Sequence, residues 1–123
     1  MPIILQVLIG GALGALSRYG VAQLLPHSNG MRFPWNTFAA NLGGCFLIGL
    51  LYGYSLTGNG IGKYNFLIFT GFLGGFTTFS SFGLETMQLF QNKQLLLVVY
   101  YVLGTNIAGL LLVFTGYKLS QLL

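Results

Sequence analysis

The chain has little charge of either sign and almost no acid. Glu85 is the one acidic residue among 123, and charged residues make up 5% of the sequence, against about 25% in an average soluble domain. So few charges cannot cover a surface that faces water. With 54% hydrophobic residues, the composition excludes an ordinary soluble domain and indicates that lipid is the solvent.

Cysteine and catalytic groupings are also scarce. Cys45 is the single cysteine, which excludes an internal disulfide and a metal site built from cysteines alone. It stands in an apolar run, which favours a buried, inert thiol. The sequence shows no pairing of a nucleophile with a base and no separate soluble module. We therefore do not expect an enzyme.

The basic residues give a net charge of +4, but they do not cluster. Nucleic-acid binding needs a basic patch or stripe on one face. Here single basic residues are scattered along the chain, at Arg18, Arg32, Lys63, Lys93 and Lys118. We therefore expect no nucleic-acid partner.

Long apolar segments, by contrast, are abundant, and four reach the roughly 20 residues needed to cross a bilayer. They run from about Ile3 to Leu25, Trp35 to Leu56, Tyr64 to Phe90 and Leu95 to Tyr117. Backbone groups in lipid need internal partners, which leaves helices or a closed barrel. Because the segments lack strict alternation, we predict helices. Residues 1–123 then form one domain, an all-α membrane protein with four transmembrane helices.

The basic residues are balanced between the two sides of these predicted spans. Both termini share one side, which carries Lys63 and Lys118, while the other carries Arg32 and Lys93, with Arg18 at its edge. An excess of basic residues normally sets orientation, and here there is almost none. We predict that the chain inserts in both orientations and pairs as an antiparallel dimer. A single orientation set by a weak bias is the alternative.

Residues 71–85, GFLGGFTTFSSFGLE, form an unusual stretch within the third span. Gly74 and Gly75 each weaken a helix by about 1 kcal/mol relative to alanine, and the neighbouring hydroxyls can bond freed backbone groups. We predict that this helix is broken at mid-membrane depth, where freed carbonyls bind cations and freed amides bind anions. A continuous helix with a glycine-rich packing face is the alternative.

Three phenylalanines in this stretch, Phe76, Phe79 and Phe82, recur at three-residue spacing and are predicted to share one helix face. Packing is the usual role of such a stripe. The edge of an aromatic ring is electropositive, however, so these rings could stabilise an anion without a full counter-charge. Weak binding of that kind suits a pore, which must also release its ion.

Polar side chains occur within the second and fourth spans. Thr37 and Asn41 are four residues apart, as are Tyr101 and Thr105, so each pair shares a helix face. Asn41 either joins helices by hydrogen bonding or donates to a passing anion, and taken alone the first is favoured. Tyr101 and Thr105 are predicted to line one path, and Asn106 to point elsewhere.

Two charges lie near span ends on the same predicted side, Arg18 and Glu85. Charges in such positions snorkel or pair. Arg18 would concentrate anions at a pore mouth. For Glu85 we favour solvation or pairing with Arg18, and a proton-carrying role, which would make the protein a transporter, is the alternative.

The stretch at 71–85 resembles the signature of the Fluc/CrcB family of fluoride channels. GGALGALSRY at 10–19, NTFAANLGG at 36–44 and, more loosely, GTNIAG at 104–109 also fit that family. The resemblance covers essentially the whole chain. It implies a multi-pass protein of the cell membrane that acts as a fluoride-specific channel, letting fluoride leave passively and so lowering its toxicity. It further implies an antiparallel, dual-topology homodimer with two pores and a central structural Na⁺ that is not transported.

The resemblance also implies roles for individual residues. Phe79 and Phe82 would line the pore, and the Asn41 amide would coordinate fluoride. Main-chain carbonyls of Gly74 and Thr77 would bind the sodium ion between the two subunits. Arg18 would lie in an aqueous vestibule. Further pore contacts are assigned to Thr37, Ser81, Tyr101 and Thr105, where Ser81 replaces a common threonine and keeps the hydroxyl.

Two other functions fit a four-helix membrane protein. A small dual-topology, proton-coupled multidrug exporter needs a membrane carboxylate, and Glu85 is the one candidate; Glu85→Gln would abolish export but not conduction. An assembly subunit without transport would use its polar residues for packing alone, and flux from reconstituted protein separates it from a channel.

Overall fold

The computed structural model describes residues 1–27, 29–58 and 60–123, and helices dominate this part of the chain. In chain order they are α1 (Ile3–Leu24), α2 (Trp35–Ser55), a 3₁₀ turn (Ile61–Tyr64), a π-helix (Phe66–Leu73), α3 (Gly74–Phe76), α4 (Phe79–Gln91) and α5 (Leu95–Ser120). No strand occurs in these described ranges.

Four stretches are long and apolar enough to cross a membrane. They are Ile3–Leu24, Trp35–Ser55, Phe66–Gln91 and Leu95–Ser120. The predicted all-α architecture with four spans is therefore confirmed, with ends that differ by a few residues. The largest difference is at α5, which continues past the predicted end at Tyr117 to Ser120.

Prolines set several of these boundaries. α1 follows Pro2 and α2 follows Pro34, positions at which a missing N–H costs nothing because the first amides of a helix have no helical partner. α1 ends before Leu25, which is extended (φ −124°, ψ 155°) and precedes Pro26. A residue before proline avoids the α conformation, so the sequence itself ends this helix.

The spans pack in two tight pairs, and glycines make both possible. α1 lies against the third span, where a Cβ added to Gly71 would come within 2.9 Å of the Cα of Gly10. α2 lies against α5, where a Cβ on Gly116 would come within 2.9 Å of the Leu50 amide. Small residues at these crossings let the backbones approach. Gly10 and Gly14 of α1, and Gly49 and Gly53 of α2, are each four residues apart and lie at these contacts.

The third span begins as a π-helix, and a side chain of α1 is hydrogen-bonded to its first turn. The buried Gln6 side chain accepts a hydrogen bond from the Leu67 amide at 3.2 Å and donates to the Met1 carbonyl at 3.1 Å. π-Helical turns are rare and are frequent at functional sites. This bond satisfies an amide that would otherwise lack a partner at the helix start, and it fixes the segment that leads to Gly74.

We expect Gly49→Ala to lower the stability of the fold by about 1–3 kcal/mol, the usual cost of overpacking. The added methyl would collide with the Val113 carbonyl and would lie 3.0 Å from the Tyr117 amide. Gly20→Ala is the control, because nothing lies within 4 Å of a Cβ there. Thermal unfolding in detergent measures the difference. A Gly49→Ala protein that melts with the wild type would contradict the close packing of α2 on α5.

Candidate functional site at the interruption of the third span

The helical backbone of the third span is interrupted at two threonines. α3 ends at Phe76 and α4 begins at Phe79. Between them Thr77 (φ −90°, ψ 159°) and Thr78 (φ −152°, ψ 119°) are extended. The preceding Gly74 is still helical (φ −62°, ψ −37°). The glycines thus lie just before the interruption, and the threonines form it.

Asn41 of α2 holds the extended backbone in place. Its Nδ2 donates to the Thr78 carbonyl at 3.0 Å, and its Oδ1 accepts from the Thr78 amide at 2.7 Å. One side chain thereby satisfies both main-chain groups of Thr78. Of the two interpretations of Asn41 drawn from sequence, hydrogen bonding between helices is the one that this geometry supports directly. A second Nδ2 hydrogen remains for another acceptor.

The interruption removes the helical donors of two carbonyls. In a continuous α-helix each amide donates to the carbonyl four residues earlier, so the Thr78 amide would bond Gly74 and the Ser81 amide would bond Thr77. Instead the Thr78 amide bonds Asn41, and the Ser81 amide bonds the Thr78 hydroxyl at 3.1 Å. These two carbonyls, which the resemblance assigns to a cation, therefore lose their α-helical partners.

A groove of about 440 Å³ runs beside the interruption. It brings together six residues predicted from sequence to belong to the site: Asn41, Gly74, Thr77, Phe79, Phe82 and Thr105. Asn106 also lines it, so the prediction that Asn106 points elsewhere is wrong. Its Nδ2 nevertheless bonds the Val102 carbonyl at 2.7 Å, which is a structural role. Thr37, Ser81, Tyr101 and Arg18 do not line this groove.

Two of the three phenylalanines form a pair at the groove. The Phe79 and Phe82 ring centroids are 5.6 Å apart, with Phe79 83% exposed and Phe82 8% exposed. Phe76 instead stacks on Phe72 at 5.8 Å. The prediction that all three share one face is therefore wrong for Phe76, because the extended threonines interrupt the helical period between Phe76 and Phe79.

A buried polar cluster lies beyond Phe82. The Thr37 hydroxyl donates to Glu85 Oε2 at 3.0 Å, and the Tyr101 hydroxyl lies beside both groups without a hydrogen bond of its own. Glu85 is 9% exposed and Tyr101 is fully buried. The expected solvation of Glu85, or its pairing with Arg18, is therefore wrong. No spacing in the sequence joins Thr37 to Glu85, since the bond depends on how α2 packs against α4.

Several buried polar atoms in this region have no partner in the described chain. They include Glu85 Oε1, the Tyr101 hydroxyl and the Thr105 hydroxyl. Buried polar atoms are almost always hydrogen-bonded in proteins, and an exception calls for an unseen water, an ion or a function. Thr105 lies at the groove and the other two lie beyond Phe82. These atoms therefore lie on both sides of the Phe82 ring, one at the groove and two in the buried polar cluster.

Ser81 and Arg18 contribute less to the assembled site. The Ser81 amide helps cap α4 through Thr78, while its half-buried side chain lies outside the groove lining. Arg18 is half-buried near the last turns of α1. The vestibule role of Arg18 and the pore contact of Ser81 stay predictions.

This is a small membrane protein with four apolar spans, the third of which is interrupted. The groove beside the interruption is lined by aromatic rings, amide side chains and hydroxyl groups, which suits an ion. The family description "CrcB-like protein, Camphor Resistance (CrcB)" matches residues 5–117. The chain therefore belongs to the CrcB family.

Curated relatives match over nearly their full lengths. A Thermus thermophilus protein is 45% identical over 116 residues, covering 94% of this chain and 93% of the relative. A Helicobacter acinonychis protein is 44% identical over 122 residues, covering 97% and 95%, and a Nitrosococcus oceani protein is 38% identical over 118 residues, covering 95% and 94%. Each of these relatives is named "Fluoride-specific ion channel FluC".

Proposed function

We propose that this chain is the subunit of a fluoride-specific ion channel through which fluoride leaves the cell passively, which lowers its toxicity. The observation that carries the proposal is the position of the paired rings of Phe79 and Phe82 between the Asn41 groove and buried hydroxyls without a partner. We interpret this arrangement as one polar route for an anion. The names of the full-length relatives support the same function.

The chemistry of the lining suits a small, strongly hydrated anion. Such an ion gives up water only where donors replace it at close range, and an amide N–H, hydroxyls and electropositive ring edges are such donors. The residues that line the groove carry no full charge. Conduction requires binding weak enough for release, so a lining of neutral donors favours passage over capture.

The exporter alternative has less support. Its carboxylate has to bind a drug-sized cationic substrate in exchange for protons. Glu85 is buried, bonded to Thr37 and lies beyond the Phe82 ring, outside the groove that could hold such a molecule. A channel accounts for the aromatic and hydroxyl lining, whereas an exporter assigns it no role.

We expect Phe79→Ile and Phe82→Ile each to reduce fluoride efflux from proteoliposomes by about tenfold or more, equivalent to ~1.4 kcal/mol in the barrier. Isoleucine keeps the position apolar and roughly filled but removes the electropositive edge. The matched control is Phe72→Ile, because Phe72 stacks on Phe76 outside the groove lining. If both pore variants conduct normally while the control fails, the rings are core residues and the pore assignment is wrong.

We propose further that the channel is an antiparallel homodimer of dual topology. Phe79 stands 83% exposed beside an open groove. The neighbouring non-helical backbone of Thr77 and Thr78 is tolerated in a membrane only where protein buries it or where it lines a water-filled cavity, which a second copy would provide. The balanced basic residues give no strong orientation signal. Two opposed copies would complete the two pores, with the Arg18 vestibule at the mouth of each and pore contacts from Thr37, Ser81, Tyr101 and Thr105.

Reporter domains fused to the C-terminus test the topology. We expect both orientations in similar amounts when the chain is expressed alone, because the basic residues hardly distinguish the two sides. The readout is a pair of reporters, one active only inside and one only outside the membrane. A single orientation, with no partner chain present, would contradict dual topology.

We propose that a structural Na⁺ binds the main-chain carbonyls of Gly74 and Thr77, at mid-membrane depth and between the two subunits. Carbonyl oxygens are hard ligands suited to such a cation, and these two lack their helical donors. A bound cation would neutralise their exposed dipoles and hold the paired interruptions together. It would not itself be transported.

Removal of sodium tests this site. When N-methylglucamine replaces sodium on both sides of proteoliposomes, we expect fluoride efflux to fall and sodium addition to restore it, with no sodium flux through the protein. Potassium at equal ionic strength is the control for a general salt effect. Undiminished efflux after rigorous sodium removal would count against the site.

A further inference from the structure

The line of rings that begins at the groove continues into the segment between α1 and α2. Phe82 contacts Tyr101 with centroids 4.9 Å apart at 60°, and Phe33 contacts Tyr101 at 5.4 Å and 74°. Tyr101 therefore lies between a ring of α4 and a ring of the preceding loop. Phe33 also packs on Phe38 at 5.1 Å and on the exposed Trp35 at 4.5 Å, so the series reaches the surface beside Phe33.

Phe33 covers the end of the polar route. It packs on Tyr101, which belongs to the cluster that holds the Thr37–Glu85 bond and the unpartnered atoms Glu85 Oε1 and Tyr101 Oη. Tyr101 is fully buried, so this cluster is closed towards the loop. An anion that moves from the groove past Phe82 reaches the cluster and leaves it at this end only when a covering side chain moves.

Phe33 is better able to move than the helical residues around it. Leu89, another cover of the cluster, is fully buried on α4. Phe33 is half-buried and non-helical, and it precedes the buried Pro34. Because it lies outside the helices, its backbone can adjust together with its side chain without breaking a helical hydrogen bond. The Arg32 side chain, bonded to the His27 carbonyl at 2.8 Å, places a positive charge on the same segment.

We propose that Phe33 is the rate-determining ring at the loop end of the conduction path, whose rotation opens the Thr37–Glu85–Tyr101 cluster. This inference rests on the proposed fluoride channel. Phe33 closes the path, whereas Phe79 and Phe82 line it, so its removal has the opposite effect on flux. A smaller side chain at position 33 speeds permeation and a larger one slows it.

The test is the initial rate of fluoride efflux from proteoliposomes at equal protein content. We expect Phe33→Ala to raise the rate by about fivefold, equivalent to ~1 kcal/mol of barrier, Phe33→Leu to raise it less, and Phe33→Trp to lower it. Phe72→Ala is the control for deleting a half-buried ring, because Phe72 lies outside both the groove and the Tyr101 cluster. Size-exclusion elution and melting temperature are recorded for each protein.

The measured rates decide whether Phe33 closes the path. Rates equal to wild type in folded Phe33→Ala, or a loss of flux as with Phe82→Ile, would overturn the closing role while leaving the channel in place. If Phe33→Ala does not fold, Phe33→Leu and Phe33→Trp decide, and equal rates for those two overturn the proposal. A wild-type protein that releases no fluoride would overturn the channel itself, which is a distinguishable failure.

Discussion

Two hydrogen bonds between the Asn41 side chain and the main chain of Thr78 determine the shape of the third span. A buried backbone group without a partner costs about 1–3 kcal/mol, and extended backbone inside an apolar span exposes two such groups at each residue. Asn41 satisfies both groups at Thr78. Without it, the more stable conformation is the continuous helix, in which the Thr78 amide bonds Gly74 again.

Much of the site depends on the extended conformation of the backbone at Thr78. The extended conformation lets the Thr78 hydroxyl cap α4 through the Ser81 amide, and it frees the carbonyls of Gly74 and Thr77. It also rotates α4 relative to the preceding residues, which separates Phe76 from the pair formed by Phe79 and Phe82. The glycine contacts that bring α1 onto the third span hold the segment before the interruption, so that Asn41 meets Thr78 in register.

The sequence was sufficient to predict the elements and six of the residues that line the groove, because both follow from local patterns. Apolar length and proline positions define the spans. Polar residues within an apolar span, such as Asn41 and Thr105, are recognisable from the sequence as candidates for a site. The prediction for Phe76 failed because helical periodicity holds only within a continuous helix. The predictions for Asn106 and Glu85 failed because their surroundings depend on contacts between distant spans, and the Thr37–Glu85 bond joins α2 to α4 across 48 residues.

The backbone conformation at Thr78 in an Asn41→Leu variant shows whether the two Asn41 hydrogen bonds hold the third span open. Leucine has the same number and branching of side-chain heavy atoms as asparagine but offers no hydrogen bond, so we expect Thr77 and Thr78 to become helical. Carbon chemical shifts of these two residues, measured by solid-state NMR in lipid, report the change: extended values in the wild type and helical values in the variant. Extended values that persist in a folded Asn41→Leu protein would contradict the claim that Asn41 holds the interruption open.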